Sequence, residues 1–126
     1  MTQVAAEPEL VVSDTVVAAL AARAAAAVPG VARLEIGLRE LVGALTRAGK
    51  RLWSGQEFAS TDGVRVRSTG DGVLAVQIDL AVAAGHRAAE VGVRVQQEVM
   101  RVVAEQAGVR VDEVSVQILD VDPEPR

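Results

Sequence analysis

The chain has 126 residues, enough for one domain that buries roughly two-thirds of its unfolded surface. Half of it is apolar but only 2 % is aromatic, so the core must be built from Val, Leu, Ile and Ala, with little left to stack bases or sugars. The net charge of −4 argues against affinity built on phosphate neutralisation, the absence of cysteine excludes disulfides and thiolate chemistry, and no run reaches the roughly 18 apolar residues of a membrane span.

Residues 1–9 read as a flexible tail with Glu7 and Glu9 and no apolar stretch of a secretory signal, which makes the cytoplasm the expected compartment. Residues 10–12 fit a short edge strand. Ser13 or Asp14 then caps a helix over 14–28, carrying Val16, Val17, Leu20, Ala21, Ala24, Ala27 and Val28. Its alanines favour helix and let it sit close on a sheet. Pro29-Gly30 stops it, and a strand is expected over 31–36.

Residues 37–58 form a variable segment with a helical stripe of Leu38, Leu41, Val42, Leu45 and Leu52, extended by Trp53. Arg39, Arg47, Lys50 and Arg51 make it locally basic in an acidic protein, while Gly43, Gly49 and Gly55 weaken it as a helix. Residues 56–63 read as a polar loop. Residues 64–69 alternate as a strand, and Gly70-Asp71-Gly72 is a hairpin turn into a second strand over 73–82.

In that strand Leu74, Val76, Ile78, Leu80 and Val82 point one way, and Ala75, Gln77, Asp79 and Ala81 the other. Gly85 breaks it. A helix follows over 87–107, with Val91, Val95, Val99 and Val102 on one side and Glu90, Arg94, Gln97, Arg101 and Glu105 opposite. Gly108 ends it, and a last strand over 113–121 carries Val114, Val116 and Ile118 on its apolar side. Residues 122–126 are a solvated tail. The order helix, Gly-Val, strand occurs twice, at Gly30-Val31 and Gly108-Val109. Together the elements predict an α+β two-layer sandwich, its sheet mostly antiparallel, with two main helices on one face and a short helical segment at 37–58.

Chemistry-bearing groups are sparse. His86, the one histidine, starts the long helix. It makes a hydrolytic pair only if Asp79 or Glu90 orients it, and an exposed first-turn residue is the more ordinary reading. One His and scattered carboxylates give no metal-ligand spacing, and Gly70-Asp71-Gly72 is too short for a phosphate loop. Neither a cofactor nor catalysis is expected. Two surfaces remain. One is the second sheet face, bearing Arg65, Arg67, Ala75, Gln77, Ala81, Gln117 and Leu119, either wet or a subunit interface. The other is the stripe Leu38, Leu41, Leu45, Arg47, Lys50, Arg51 and Trp53, either a lid on the core or a contact for a partner or an anionic membrane.

The chain resembles the alkaline shock protein family of bacterial envelope stress proteins over about residues 10–121. The resemblance rests on Val11-Val12-Ser13-Asp14-Thr15-Val16-Val17, Val28-Pro29-Gly30-Val31-Ala32-Arg33-Leu34, Gly63-Val64-Arg65-Val66 and Val76-Gln77-Ile78-Asp79-Leu80. It continues through Glu90-Val91, Val95-Gln96-Gln97-Glu98-Val99, Ala107-Gly108-Val109 and Val114-Ser115-Val116-Gln117-Ile118. Ser115 stands where an asparagine is common, Ala83-Ala84-Gly85 replaces a tyrosine-bearing strand end, and residues 37–58 match poorly. The resemblance implies a non-enzymatic cytoplasmic protein that self-associates into a homo-oligomer. It also implies a place at the inner face of the cell membrane through a separate membrane-anchored partner. The alternatives are a small RNA-binding or adaptor module, which the acidic balance disfavours, and a hydrolase using His86.

Overall fold

A computed structural model describes residues 12–35, 58–61, 63–68 and 73–124. Helix α1, Asp14–Ala26, starts at Ser13, whose extended backbone (φ −73°, ψ 153°) lets its Oγ accept the Val16 N–H at 3.3 Å. That bond satisfies one of the donors every helix start leaves open. The first-turn Asp14 accepts a hydrogen bond from Ser68 Oγ at 3.0 Å, which ties the helix start to the sheet. Ala18, Ala21 and Ala25 are fully buried, so the helix backbone approaches the sheet closely. Val17 is buried, while its neighbour Val16 is 47 % exposed.

Five strands form one sheet: β1 (Val31–Leu34), β2 (Phe58–Thr61), β3 (Val64–Ser68), β4 (Leu74–Val82) and β5 (Glu113–Val121). β4 is central. β5 runs parallel to it from Ala75↔Glu113 to Val82↔Val121, with a bulge after Leu80. Its other edge is shared end to end by two antiparallel strands, β3 against Leu74 to Ile78 and β1 against Leu80 to Val82. β2 pairs antiparallel with β3. The parallel step from β4 to β5 needs a crossover, which α2, Ala88–Ala107, supplies.

Both helices cover one face. Val64, Val66, Leu74, Val76, Ile78, Leu80, Val82 and Val114 point into a single core with Val17, Ala21, Ala25, Val91, Val95, Val99 and Val103. The two-layer α+β sandwich expected from the sequence is therefore the observed architecture. Three local readings need correction. Phe58–Thr61 is a strand, where the sequence pattern predicts the end of a helical segment and a polar loop. Val103 rather than Val102 completes the buried stripe of α2, because four buried valines at four-residue steps track the sheet. On the second face Gln117 is exposed and Gln77 half-buried as expected, but Asp79 is as buried as its core neighbours. Residues 37–57, and with them the expected helical stripe, lie outside the described residues, as do the tail at 1–9 and the turn at 70–72.

Two glycines hold the joints. Gly63 (φ +79°) lies where β1 and β3 meet, and a Cβ there would stand 2.8 Å from Leu34 Cβ. Gly30 (φ +98°) returns the chain from α1 into β1 against the start of α2, where a Cβ would lie 2.6 Å from Val91 Cγ2 and 2.8 Å from His86 Nδ1. Gly85 (φ +83°) has nothing near its missing Cβ. Gly30→Ala should therefore lower stability by about 2–3 kcal/mol, and Gly85→Ala by only about 1 kcal/mol, the cost of the left-handed backbone alone. Urea denaturation of the two variants checks this; equal losses would contradict the contact.

Candidate functional site

The second sheet face is built in rows, because residues paired across strands point the same way. Arg67, Ala75 and Glu113 form one row; Arg65, Gln77 and Ser115 the next; Asp79 and Gln117 follow; Arg33, Ala81 and Asp120 close the series. The small Ala75 and Ser115 sit between long side chains and leave an open depression of about 290 Å³, lined also by Arg65, Arg67, Gln77 and Glu113. Both arginines border it, so it favours polar, hydrogen-bond-accepting groups.

Asp79 lies one row beyond this depression, near the centre of β4. It is 2 % exposed; its Oδ2 lies 3.9 Å from Arg65 Nη2, and its Oδ1 has no hydrogen-bond partner among the described residues. A buried carboxylate oxygen without a donor is costly, and most native structures avoid it. Alternation alone assigns Asp79 to a wet face and gives no warning of its burial.

At the far end Arg33 spans the sheet. Its Nε donates to Glu35 at 2.9 Å, Nη1 to both carboxylate oxygens of Asp122 at 3.0 and 3.1 Å, and Nη2 to Asp120 at 3.4 Å. The hydrogen bond to Asp122 is the main reason its guanidinium pKa is raised, with Glu35 adding to it. Asp120 and Asp122 lie 87 and 89 residues away along the chain, so no local pattern could have found the cluster. The group is exposed, and its role is to clamp β1 to the end of β5 across Ala81.

Of the residues singled out from sequence, Arg65, Arg67, Ala75, Gln77, Ala81 and Gln117 do share this face. Leu38, Leu41, Leu45, Arg47, Lys50, Arg51 and Trp53 all lie outside the described residues. His86 is exposed, with its ring against Gly30, while the Asp79 carboxylate lies beside Arg65. The two are not brought together as a hydrolytic pair. Among the described residues no group of three or more His, Asp or Glu could hold a metal ion, and no helix is long and apolar enough to cross a membrane.

Fold and site define the class: a small α+β domain, helices on one face, presenting a charged second sheet face. The family model of alkaline shock protein 23, described as a family with a cell envelope-related function, matches residues 2–123. The chain belongs to this alkaline shock protein family, the one its sequence resembles. Neither a curated protein nor a solved structure matches it.

The Asp79–Arg65 pair makes a checkable claim. Arg65→Met leaves the buried carboxylate without its cation and should cost about 3 kcal/mol. Asp79→Asn should be nearly neutral, and the double variant should recover most of the loss. A double-mutant cycle by chemical denaturation measures it; additive losses would mean the pair is not coupled.

Proposed function

We propose that the protein is a non-enzymatic, membrane-proximal scaffold of the cell envelope, which assembles with itself and binds a membrane-anchored protein at the inner face of the cell membrane. Membership of a family with an envelope-related function carries this reading. The composition supports it: with so few aromatics and a net charge of −4, the chain has little to offer single-stranded RNA. Arg65 and Arg67 stand next to Asp79 and Glu113, so the second face is mixed in sign rather than a phosphate track.

The partner contact is assigned to residues 38–53. Leu38, Leu41, Leu45 and Trp53 are more apolar than a free surface helix needs, and Arg47, Lys50 and Arg51 are basic against the overall charge. Burying Trp53 in a partner is worth roughly 2 kcal/mol or more, and the basic groups add salt-sensitive steering toward an acidic protein or anionic lipid. Trp53→Ala combined with Arg47→Glu and Lys50→Glu should leave the fold intact by circular dichroism and sharply reduce recovery in the membrane fraction. Unchanged recovery would remove this stretch from the contact. His86→Ala should retain both fold and cellular role; loss of role in a folded His86→Ala protein would reopen the hydrolase reading.

A further inference from the structure

We propose that the free edge of β5, together with the flank of α2 above it, is the surface through which two copies of this chain join, their sheets running on into one. The inference rests on the self-assembly reading above and names its surface.

The backbone sets which groups are free. Asp79 gives its N–H to Gly63 and takes the Glu35 N–H, so its peptide groups face β3 and β1. Its neighbours Ile78 and Leu80 therefore turn theirs toward β5, and the parallel ladder receives them through Ser115 and Gln117. Val116 and Ile118 accordingly point their N–H and C=O outward. At one end of this edge the Val114 carbonyl accepts from Gln96 Nε2 at 3.1 Å, and at the other the Val121 N–H donates to Asp120 Oδ1 at 2.9 Å. Between them Val116 and Ile118 have no partner among the described residues. Residues 114–119, Val-Ser-Val-Gln-Ile-Leu, carry no charge and no proline, the devices that normally guard an edge.

The helix above is unguarded on the same side. Gly92 marks that side, since its missing Cβ would lie 4.0 Å from Val116 and Ile118. At about 100° per residue, Ala89, Val93, Gln96, Met100 and Ala107 fall next to Gly92 within an arc of about 60°. Every charged residue of α2 falls on the opposite side: Glu90, Arg94, Glu98, Arg101 and Glu105. Val93 is 49 % and Met100 39 % exposed.

The surface suits itself. Antiparallel pairing about a two-fold axis at Gln117 places Val116 opposite Ile118 of the second copy, twice, and overlaps all nine residues of β5. It keeps Glu113 opposite Val121 rather than another acid. Strand and helix are each about 30 Å long and the two layers roughly 20 Å high, so about 600 Å² per copy would be covered, near the roughly 800 Å² of a standard interface.

Because the chain has no cysteine, Gln117→Cys gives one reporter at the axis. Mild oxidation should convert it to a disulfide-linked dimer, while Arg67→Cys, on β3 and away from the interface, should form no cross-link under the same conditions. In sedimentation equilibrium the wild type should dimerise, and Val93→Glu with Met100→Glu, both at exposed positions, should weaken the dimer roughly 30-fold or more with an unchanged circular dichroism spectrum. The proposal is overturned if the wild type is monomeric at every concentration, or associates only when anionic vesicles are added. It is equally overturned if an oligomer persists in the Val93/Met100 variant with no preferential Gln117→Cys cross-link. Membrane-fraction recovery of the Val93/Met100 variant reads the scaffold separately: a lost dimer with full recovery upholds the interface and refutes the need for assembly.

Discussion

One backbone position lets the sheet exist in its observed order. The Asp79 peptide donates to the carbonyl of Gly63 at 2.8 Å and accepts the N–H of Glu35 at 2.9 Å, passing a single edge of β4 from β3 to β1. Three strands thus saturate β4 along both edges, and seven of its nine residues are buried. The handover demands that two chain segments arrive head to head, which Gly63 permits because a side chain there would strike Leu34 and the Glu35 backbone. The carboxylate of Asp79 is carried into the interior by this arrangement. Its poor hydrogen bonding is a consequence of where the peptide must sit.

The regular elements were legible because they answer to local rules. β4 alternates over nine residues, α2 keeps an apolar stripe for five turns, and Ser13 and Gly108 are the capping residues their positions call for. What the sequence hid is non-local or short. β2 is four residues long and contains Ser60 and Thr61, too brief for alternation to register. The Arg33 clamp joins residues from the two ends of the domain. The burial of Asp79 depends on three strands meeting, which no period in one strand can announce. Of the candidate site, the composition of the second face was legible from β3, β4 and β5, while its depression depends on the cross-strand alignment of Ala75 and Ser115.

The core is built from short side chains. Apart from Ile78 and Leu80, the largest fully buried side chains are all valines. Valine has little rotamer freedom to lose on burial, and its branched Cβ suits the pleat. Alanines on α1 complete the packing beside these valines. Such a core is short in reach. Side chains at the margin, such as Val116 and Ile118, are covered on one side by Gly92 and left half open on the other.

Charge placement bears on what those margins are for. Around Arg101, Glu98 and Glu105 form a hydrogen-bonded cluster on the far side of α2; the Arg101 contact is what lowers the pKa of Glu98. An exposed network of this kind adds little stability. Its effect is on solubility and on orientation: it makes one side of the helix wet and leaves the other, above the β5 edge, without a charge. An unguarded edge strand invites any extended chain, and the domain already satisfies both ends of β5 with the side chains of Gln96 and Asp120. Only a partner strand that makes its hydrogen bonds between those capped ends, and that brings an uncharged helix flank of its own, meets the whole surface. A loose peptide supplies the hydrogen bonds but not the flank. A second copy of the same domain supplies both, which gives an open edge selectivity for self over indiscriminate pairing.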